Sequence, residues 1–524
     1  MLIAPALAGV LALAWLLYEP RTPDLAAAVY RANLFSQSGF MVWDSRWYAG
    51  HDLPGYSLLF GPLASVFGVR GLGVICVLVS TALFDRIVRD AYGPRARWGT
   101  LVFALAAVGD LWIGRISFAL GVPFALLAVL ALMRSRPLPA ACAALLCAAA
   151  SPVAGALLAL AGATHALATR SLRSLVVLAV PPLVLVLALI ALFPEGGFEP
   201  FPLLSFIATI AVVAGFLCAL PPEQRLLRTA GVLYLLVCVA CVAIHTPVGS
   251  NVERYGVLLA GPLLVCAWAG AASHGAAPAR WRVAVAVVVL CGTLVWTVWG
   301  PVRETVAVAG STDTSEAYYA PLVGFLGRAA TGPVRVEVPL TRSHWEAALL
   351  APHVSIARGW EKQLDERYDG VLLKPGLDAG RYRQWLLANA VAYVALPDAR
   401  LDSSSAAEGR LIASGLPYLR QVFASPHWRV YSVLGATSLA GGPAALTSLG
   451  HDGFSLAGRG PGDVVVRVRY SPYLVITHGR GCVSEAPGGW TRVRLPGGGP
   501  VSVAARFSLA RAFTSGAACT SGSG

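Results

Sequence analysis

The sequence predicts a polytopic all-α membrane domain of about eleven transmembrane helices, followed by an extracytoplasmic α/β domain and a β-sandwich-like domain. Three observations lead there. Of 524 residues, 56% are hydrophobic and 13% charged, with a mean hydropathy of +0.67, too apolar for a soluble globule. The excess is uneven, since residues 1–300 are almost continuous apolar segments whereas 301–524 have the mixed composition of water-soluble domains. Finally, arginines recur in pairs in every second connection between apolar segments, which is how a membrane protein marks its cytoplasmic face.

Taken in order, residues 2–18 form an uncharged first helix, read as retained because no cleavage pattern precedes Glu19-Pro20-Arg21. A long polar loop, 19–56, follows it. Residues 54–68 are short and broken by Gly and Pro, so they read as an embedded or interfacial helix. Further crossings are expected at 70–88, 99–113, 116–133, 138–150, 152–169, 175–193, 202–220, 229–245, 256–273 and 281–299. The segments 138–150 and 152–169, joined at Ser151-Pro152, are also readable as one broken unit. Arg86, Arg89, Arg95 and Arg97, and then the pairs 134/136, 170/173, 225/228 and 280/282, fall on one side. That side is the cytoplasm, with the amino terminus; the 19–56 loop and everything from 302 onward lie outside.

The tail divides at about residue 435. In 301–435, strands at 335–340, 391–397 and 428–434 alternate with helical stretches at 344–350, 382–389 and 404–414. In 436–524 the helical pattern stops, and 463–470, 473–479, 490–496 and 501–510 read as strands of a small sandwich. Eight of ten cysteines lie in apolar segments, where they act as small hydrophobes; Cys482 and Cys519, in the tail, are open to a disulfide or to two free thiols. No Cys/His spacing resembles a zinc site. The net charge of +13 does not point to nucleic acid, because the arginines are dispersed rather than gathered on one face. Abundant Arg, Ala and Gly beside only two lysines, Lys362 and Lys374, suggest a GC-rich bacterial source.

The chemistry is expected around the 19–56 loop, which gathers Glu19, Asp24, Asp44, His51 and Asp52 among Tyr30, Trp43, Trp47, Tyr48 and Tyr56. Arg115 and Arg254 are the arginines of the helical domain on the outer side, where they break the positive-inside trend. Glu195 and Glu199 occupy a Gly-rich outer loop that either covers a site or merely connects helices. Each residue has a structural reading as well. Asp24 suits the first turn of a helix, Asp44 and Asp52 suit turns or pairing with Arg46, Asp110 suits pairing with Arg115, and Glu253 suits pairing with Arg254. His51 reads as a hydrogen-bonded loop residue, and the aromatics as an interfacial belt.

One helix, an Asp-led amphipathic helix (24–39), an aromatic WxxRWYAG turn (43–50), LPGYSLLFGPLASVFGVRGLGV and an arginine-ended helix follow in order. This resembles the amino-terminal half of the C-type membrane glycosyltransferases, such as the aminoarabinose transferases of lipid A and the protein mannosyltransferases. The likeness covers about residues 1–200, and within it GRISFALG (114–121) also resembles the start of a later helix in related bacterial membrane proteins. It implies sugar transfer from a polyprenyl-phosphate donor in the bilayer to an acceptor in the cell envelope, with an acid of the first outer loop as catalytic carboxylate. The matching position is Asp24, with Asp44 beside it as a second catalytic candidate. Glu19, Trp47, His51, Asp52, Tyr56, Arg115, Glu195 and Arg254 are the candidates for binding substrate. Two features depart from the pattern: the Lys-Pro-Pro-Leu of the lipid A enzymes is replaced by Leu53-Pro54-Gly55-Tyr56, and Asp24 is followed by Leu25 rather than a second acid. Some relatives use a divalent metal, but this loop offers too few ligands to assign one.

The residues support the same chemistry, since a carboxylate at a membrane boundary suits a general base and guanidinium suits phosphate oxygens. The competing classes are a multi-pass transporter and a non-catalytic envelope assembly protein. A carrier brings ionisable groups to midspan and repeats itself internally; the two halves of the helical domain do not match.

Overall fold

A computed structural model describes residues 3–221, 223–273 and 280–513. The chain divides into two compact units. The first comprises Met1–Ser36, Tyr56–Leu189 and Gly197–Ala309; the second comprises Gln37–Gly55, Ile190–Gly196 and Gly310–Gly524. Compactness therefore assigns residues 37–55, the middle of the first loop, to the same unit as the tail.

The first unit is all helix. Its opening helices are α1 (Ile3–Tyr18) and α2 (Pro23–Ser38), bent by 82° at the break between them. Pro20 and Pro23 account for the break, because neither supplies a backbone N–H and each restricts the residue before it. The helix expected from Asp24 is present, and most of it as far as Leu34 is buried: Leu25, Ala26, Ala27, Ala28, Tyr30, Arg31, Ala32 and Leu34 are all covered. Next come α3 (Phe60–Phe67), α4 (Val69–Tyr92), α5 (Arg97–Ile113), α6 (Ile116–Met133), α7 (Pro137–Ala150) and α8 (Pro152–Thr169). At Ser151 the backbone is extended and the hydroxyl accepts from the Ala154 N–H, so α7 and α8 are two separate helices. Helix α7 buries a stripe of small residues, Ala140, Ala143, Ala144, Cys147 and Ala148, which lets backbones approach closely inside a bilayer.

Among the described residues, eight helices are long and apolar enough to cross a membrane, and nine if α1 and α2 form one bent span. The chain is a multi-pass membrane protein. Of the eleven segments expected, α1 with 16 residues, α7 with 14 and Leu203–Ala219 with 17 are the three outside those eight.

The second unit opens with a two-residue hairpin, β1 (Trp43–Asp44) pairing β2 (His51–Asp52). The α/β part has a five-stranded sheet of β3 (Arg335–Glu337), β4 (Ser355–Ile356), β5 (Val391–Pro397), β6 (Leu419–Ala424) and β7 (Trp428–Val433), in the order β4-β3-β5-β7-β6. Strand β3 runs parallel to β4 and β5, whereas β7 is antiparallel to β5 and β6. Beyond it lie β8 (Ala440–Gly441), β9 (Ala444–Leu449), β10 (Gly453–Gly458), β11 (Gly462–Arg469), β12 (Leu474–His478), β13 (Cys482–Ala486), β14 (Trp490–Leu495) and β15 (Gly499–Ala505). They form two antiparallel four-stranded sheets, β12-β15-β10-β9 and β13-β14-β11-β8. Alternate residues Val464, Val466 and Val468 of β11 are buried, the period-two pattern of a one-sided sheet. The Cys482–Cys519 pairing considered from the sequence falls on residue 519, outside the described residues.

Candidate active site in the helical unit

The corner between α5 and α6 organises the charged residues of the first unit. Gly114 caps α5 at φ 96°, its N–H donating to the Asp110 carbonyl, and the Arg115 N–H donates to that same carbonyl. A Cβ on Gly114 would stand 2.3 Å from the Leu25 nitrogen, so only glycine allows the first turn of α2 to press against this corner. That close approach brings Asp24 to Arg115. The Arg115 Nε lies 3.5 Å from an Asp24 carboxylate oxygen, and its Nη1 lies 3.9 Å from Asp110. Both pairs are longer than a good charged hydrogen bond, which leaves Arg115 loosely held.

The fourth member is Arg254, in the first turn of Glu253–Ser273. Its Nη2 donates to the Asn251 side-chain oxygen at 2.5 Å, and its guanidinium lies 5.3 Å from the centre of the Phe118 ring. It interacts electrostatically with Arg115, Asp24, Asp110 and Tyr56. Two guanidiniums thus share one corner with two carboxylates, and the buried Nε of each arginine makes no hydrogen bond. Like charges held together with donors to spare form a setting that an anionic oxygen would complete. Glu253 also feels the Arg115 charge, and it accepts a hydrogen bond from Thr209 at 3.1 Å.

The remaining loop candidates of this unit sit nearby in sequence but differ in surroundings. Tyr56 is half-buried, with the Arg31 guanidinium 3.9 Å from its ring centre. Glu19 is exposed at the α1–α2 break with φ 49°, and its charge acts on Arg70, which donates to the Pro20 carbonyl.

Asp44, Trp47, His51, Asp52 and Glu195 belong to the second unit and find partners within it. Asp44 is fully buried and accepts from the Arg46 N–H and from His451, both at 3.1 Å. The His51 Nδ1 is 3.1 Å from the Asp44 carbonyl, and its ring stacks on Trp47 at 5.5 Å. The Trp47 indole donates to the Ala347 carbonyl, and its ring covers Gly359, where a Cβ would come within 2.5 Å. Trp47 is wholly inaccessible to solvent. The aromatic turn of the first loop is thereby built into the α/β core.

Asp52 and Glu195 form a carboxyl pair, with the Asp52 N–H donating to the Glu195 carboxylate. One oxygen of each is buried without a hydrogen-bond partner. Burial pushes Asp52 from its ordinary 3.8 up to about 7, with Arg367 pulling the other way. Burial raises Glu195 well above its ordinary value, reinforced by the charges of Glu361 and Asp52.

Sequence reading gave Asp110 only the role of pairing with Arg115, and it did not single out Arg31. Asp110 is 8% exposed within an otherwise apolar crossing, and an acid in such a segment is the available clue. Among the described residues, no three His, Cys, Asp or Glu side chains come together to hold a metal ion. The carboxylates of the corner are set against arginines.

No protein-family model matches the sequence, and no curated protein matches it. Among solved structures, the chain is similar to the crystal structure of the Archaeoglobus fulgidus oligosaccharyltransferase in the apo form, at 12% identity and a TM-score of 0.43, over 76% of this chain and 69% of that one. It is also similar to that enzyme tethered through a disulfide bond to an acceptor peptide containing the NVT sequon, at 12% identity and a TM-score of 0.39, over 72% and 65% of the two chains.

Proposed function

We propose that the chain is a C-type membrane glycosyltransferase that moves a sugar from a polyprenyl-phosphate donor to an extracytoplasmic acceptor. The observation that carries this reading is the α5–α6 corner, where Asp24 meets Arg115 at 3.5 Å beside Asp110 and Arg254. The Asp24 carboxylate takes the proton of the acceptor hydroxyl as its oxygen bonds to the anomeric carbon. The bond from that carbon to the phosphate oxygen breaks, and the phosphate leaves with the electron pair. Arg254 and Arg115 balance the charge developing on it. Asp110 lies 3.9 Å from Arg115 and supplies a second negative charge beside it.

Glu19 and Tyr56 are assigned to the approach to this corner. Asp44, Trp47 and His51 are assigned to shaping the 43–52 hairpin, and Asp52 with Glu195 to fastening it. The amino terminus is assigned to the cytoplasm and the second unit to the exterior, on the strength of the paired arginines.

The test supplies membranes carrying the protein with a panel of labelled polyprenyl-phosphate sugars and compares the wild type with Asp24→Asn. The wild type should incorporate sugar from at least one donor, and the variant should fall by about 10²-fold or more, the usual contribution of a general base. Incorporation undiminished by the substitution removes Asp24 from the chemistry. No incorporation from any donor overturns the transferase reading.

A further inference from the structure

The last described stretch of the chain leaves three large apolar side chains outside any core. Phe507 is 52% exposed, Leu509 61% and Phe513 70%. Leu509 and Phe513 are four residues apart across the single helical turn Leu509–Ala512, so they share one side of it. The turn follows β15 directly and is anchored at its base. The Arg506 N–H donates to the Tyr473 carbonyl at 2.8 Å, and the Arg506 guanidinium pairs with Asp452 at 2.9 Å. Arg511 adds a second basic side chain within the exposed stretch.

What lies against this stretch decides its environment. The Phe507 ring packs on Phe193 at 5.9 Å and on Tyr473 at 5.5 Å, and those two rings lie 5.3 Å apart. The Tyr473 hydroxyl donates to the Leu192 carbonyl at 2.6 Å. Leu192 is the last residue of the apolar crossing Leu172–Leu192, and Phe193 is the next residue. A residue that ends a crossing stands where hydrocarbon gives way to headgroups, the zone that aromatic rings and arginines favour. A ring in contact with it reaches the same zone.

We propose that residues 507–513 are a membrane-contact segment, seating Phe507, Leu509 and Phe513 in the headgroup–acyl boundary with Arg506 and Arg511 at the level of lipid phosphate. A second copy of the chain suits the patch less well, since a stable protein interface takes roughly 800 Å² from each partner and three side chains within seven residues do not supply it. The segment acts as a wedge that pins the end of the β region to the bilayer by several weak apolar contacts.

The full-length protein in nanodiscs containing anionic lipid provides the test. A spin label is attached separately at Leu509→Cys, Phe513→Cys and Val422→Cys, in a background whose exposed Cys142, Cys218 and Cys291 are replaced by alanine. Val422, on the edge strand β6, serves as the aqueous reference. Collisions with dissolved oxygen should exceed collisions with a water-soluble nickel chelate at 509 and 513 by several-fold relative to 422, and measuring two sites guards against one label disturbing the turn. Equal accessibility of all three sites to the chelate overturns the proposal. So does dipolar broadening that appears in crowded proteoliposomes and vanishes, together with the oxygen preference, in single-copy discs, since that result assigns the patch to a second copy. None of these readouts depends on glycosyl transfer.

Discussion

At Arg254 the side chain holds one strong hydrogen bond, to Asn251, while its buried Nε has none and a second arginine shares its surroundings. If that guanidinium receives the donor phosphate, Arg254→Gln should raise the KM for the labelled donor by about 10- to 100-fold, the weight of a lost charge-assisted hydrogen bond. The donor titration should show a smaller loss in kcat, whereas an unchanged KM would place the phosphate elsewhere. Asp52 carries a different prediction. Its carboxyl moves from 3.8 up to about 7 on burial, so the folded form holds a proton that the unfolded form has released. The stability this supplies is complete below about pH 4 and is lost as pH rises through 7. The groups facing it are Glu195, Arg367, Tyr368 and Tyr473, and of these only Arg367 opposes the shift. The thermal stability of the detergent-solubilised chain should therefore fall from pH 5 to pH 8, and Asp52→Asn should flatten that slope by raising stability at pH 8.

Among elements, the α5–α6 corner is the one on which the site depends. Gly114→Ala forces a side chain into a left-handed position, costing roughly 1–2 kcal/mol, and sets its Cβ 2.3 Å from the backbone of Leu25. Helix α2 must retreat, taking Asp24 from Arg115. Transfer should fall at least tenfold while the protein still inserts in membranes, as judged by carbonate-resistant membrane retention. Full activity in Gly114→Ala would mean that the Asp24–Arg115 contact is not needed. The hairpin β1–β2 shows the same dependence on close approach, because Trp47 lies flat on Gly359 and stacks His51 on its edge of the turn.

For the whole molecule, the paired arginines 134/136, 170/173, 225/228 and 280/282 predict one cytoplasmic face. Alkaline phosphatase, active only outside the cytoplasm, should be active when fused after Gly310 and inactive when fused after Gly93. The opposite pattern would invert the orientation and place the corner of α5 and α6 on the wrong side for an extracytoplasmic acceptor. The short helices α1, α7 and Leu203–Ala219 make such mapping informative, since length alone does not give them a full crossing.

Hydropathy and arginine placement were enough to find every long helix of the first unit, because crossing a bilayer demands long apolar runs wherever the rest of the chain lies. Ile116–Met133 and Pro152–Thr169 match the expected limits residue for residue. The tail strands β5 and β7 were readable from their β-branched and aromatic content. Strands β6, β9, β10 and β13 were not, being mixed in composition, with their place set by neighbours in the sheet rather than by local pattern. The loop acids were legible as candidates, yet only three-dimensional packing separated them. Asp24 came to two arginines that lie about 90 and 230 positions away in the sequence, while Asp44, His51 and Asp52 were drawn into the hydrogen bonds of the tail unit. Local composition records what a side chain can do, and it carries no record of a glycine that lets one helix end close on another; that contact is long-range, and tertiary structure alone decided it.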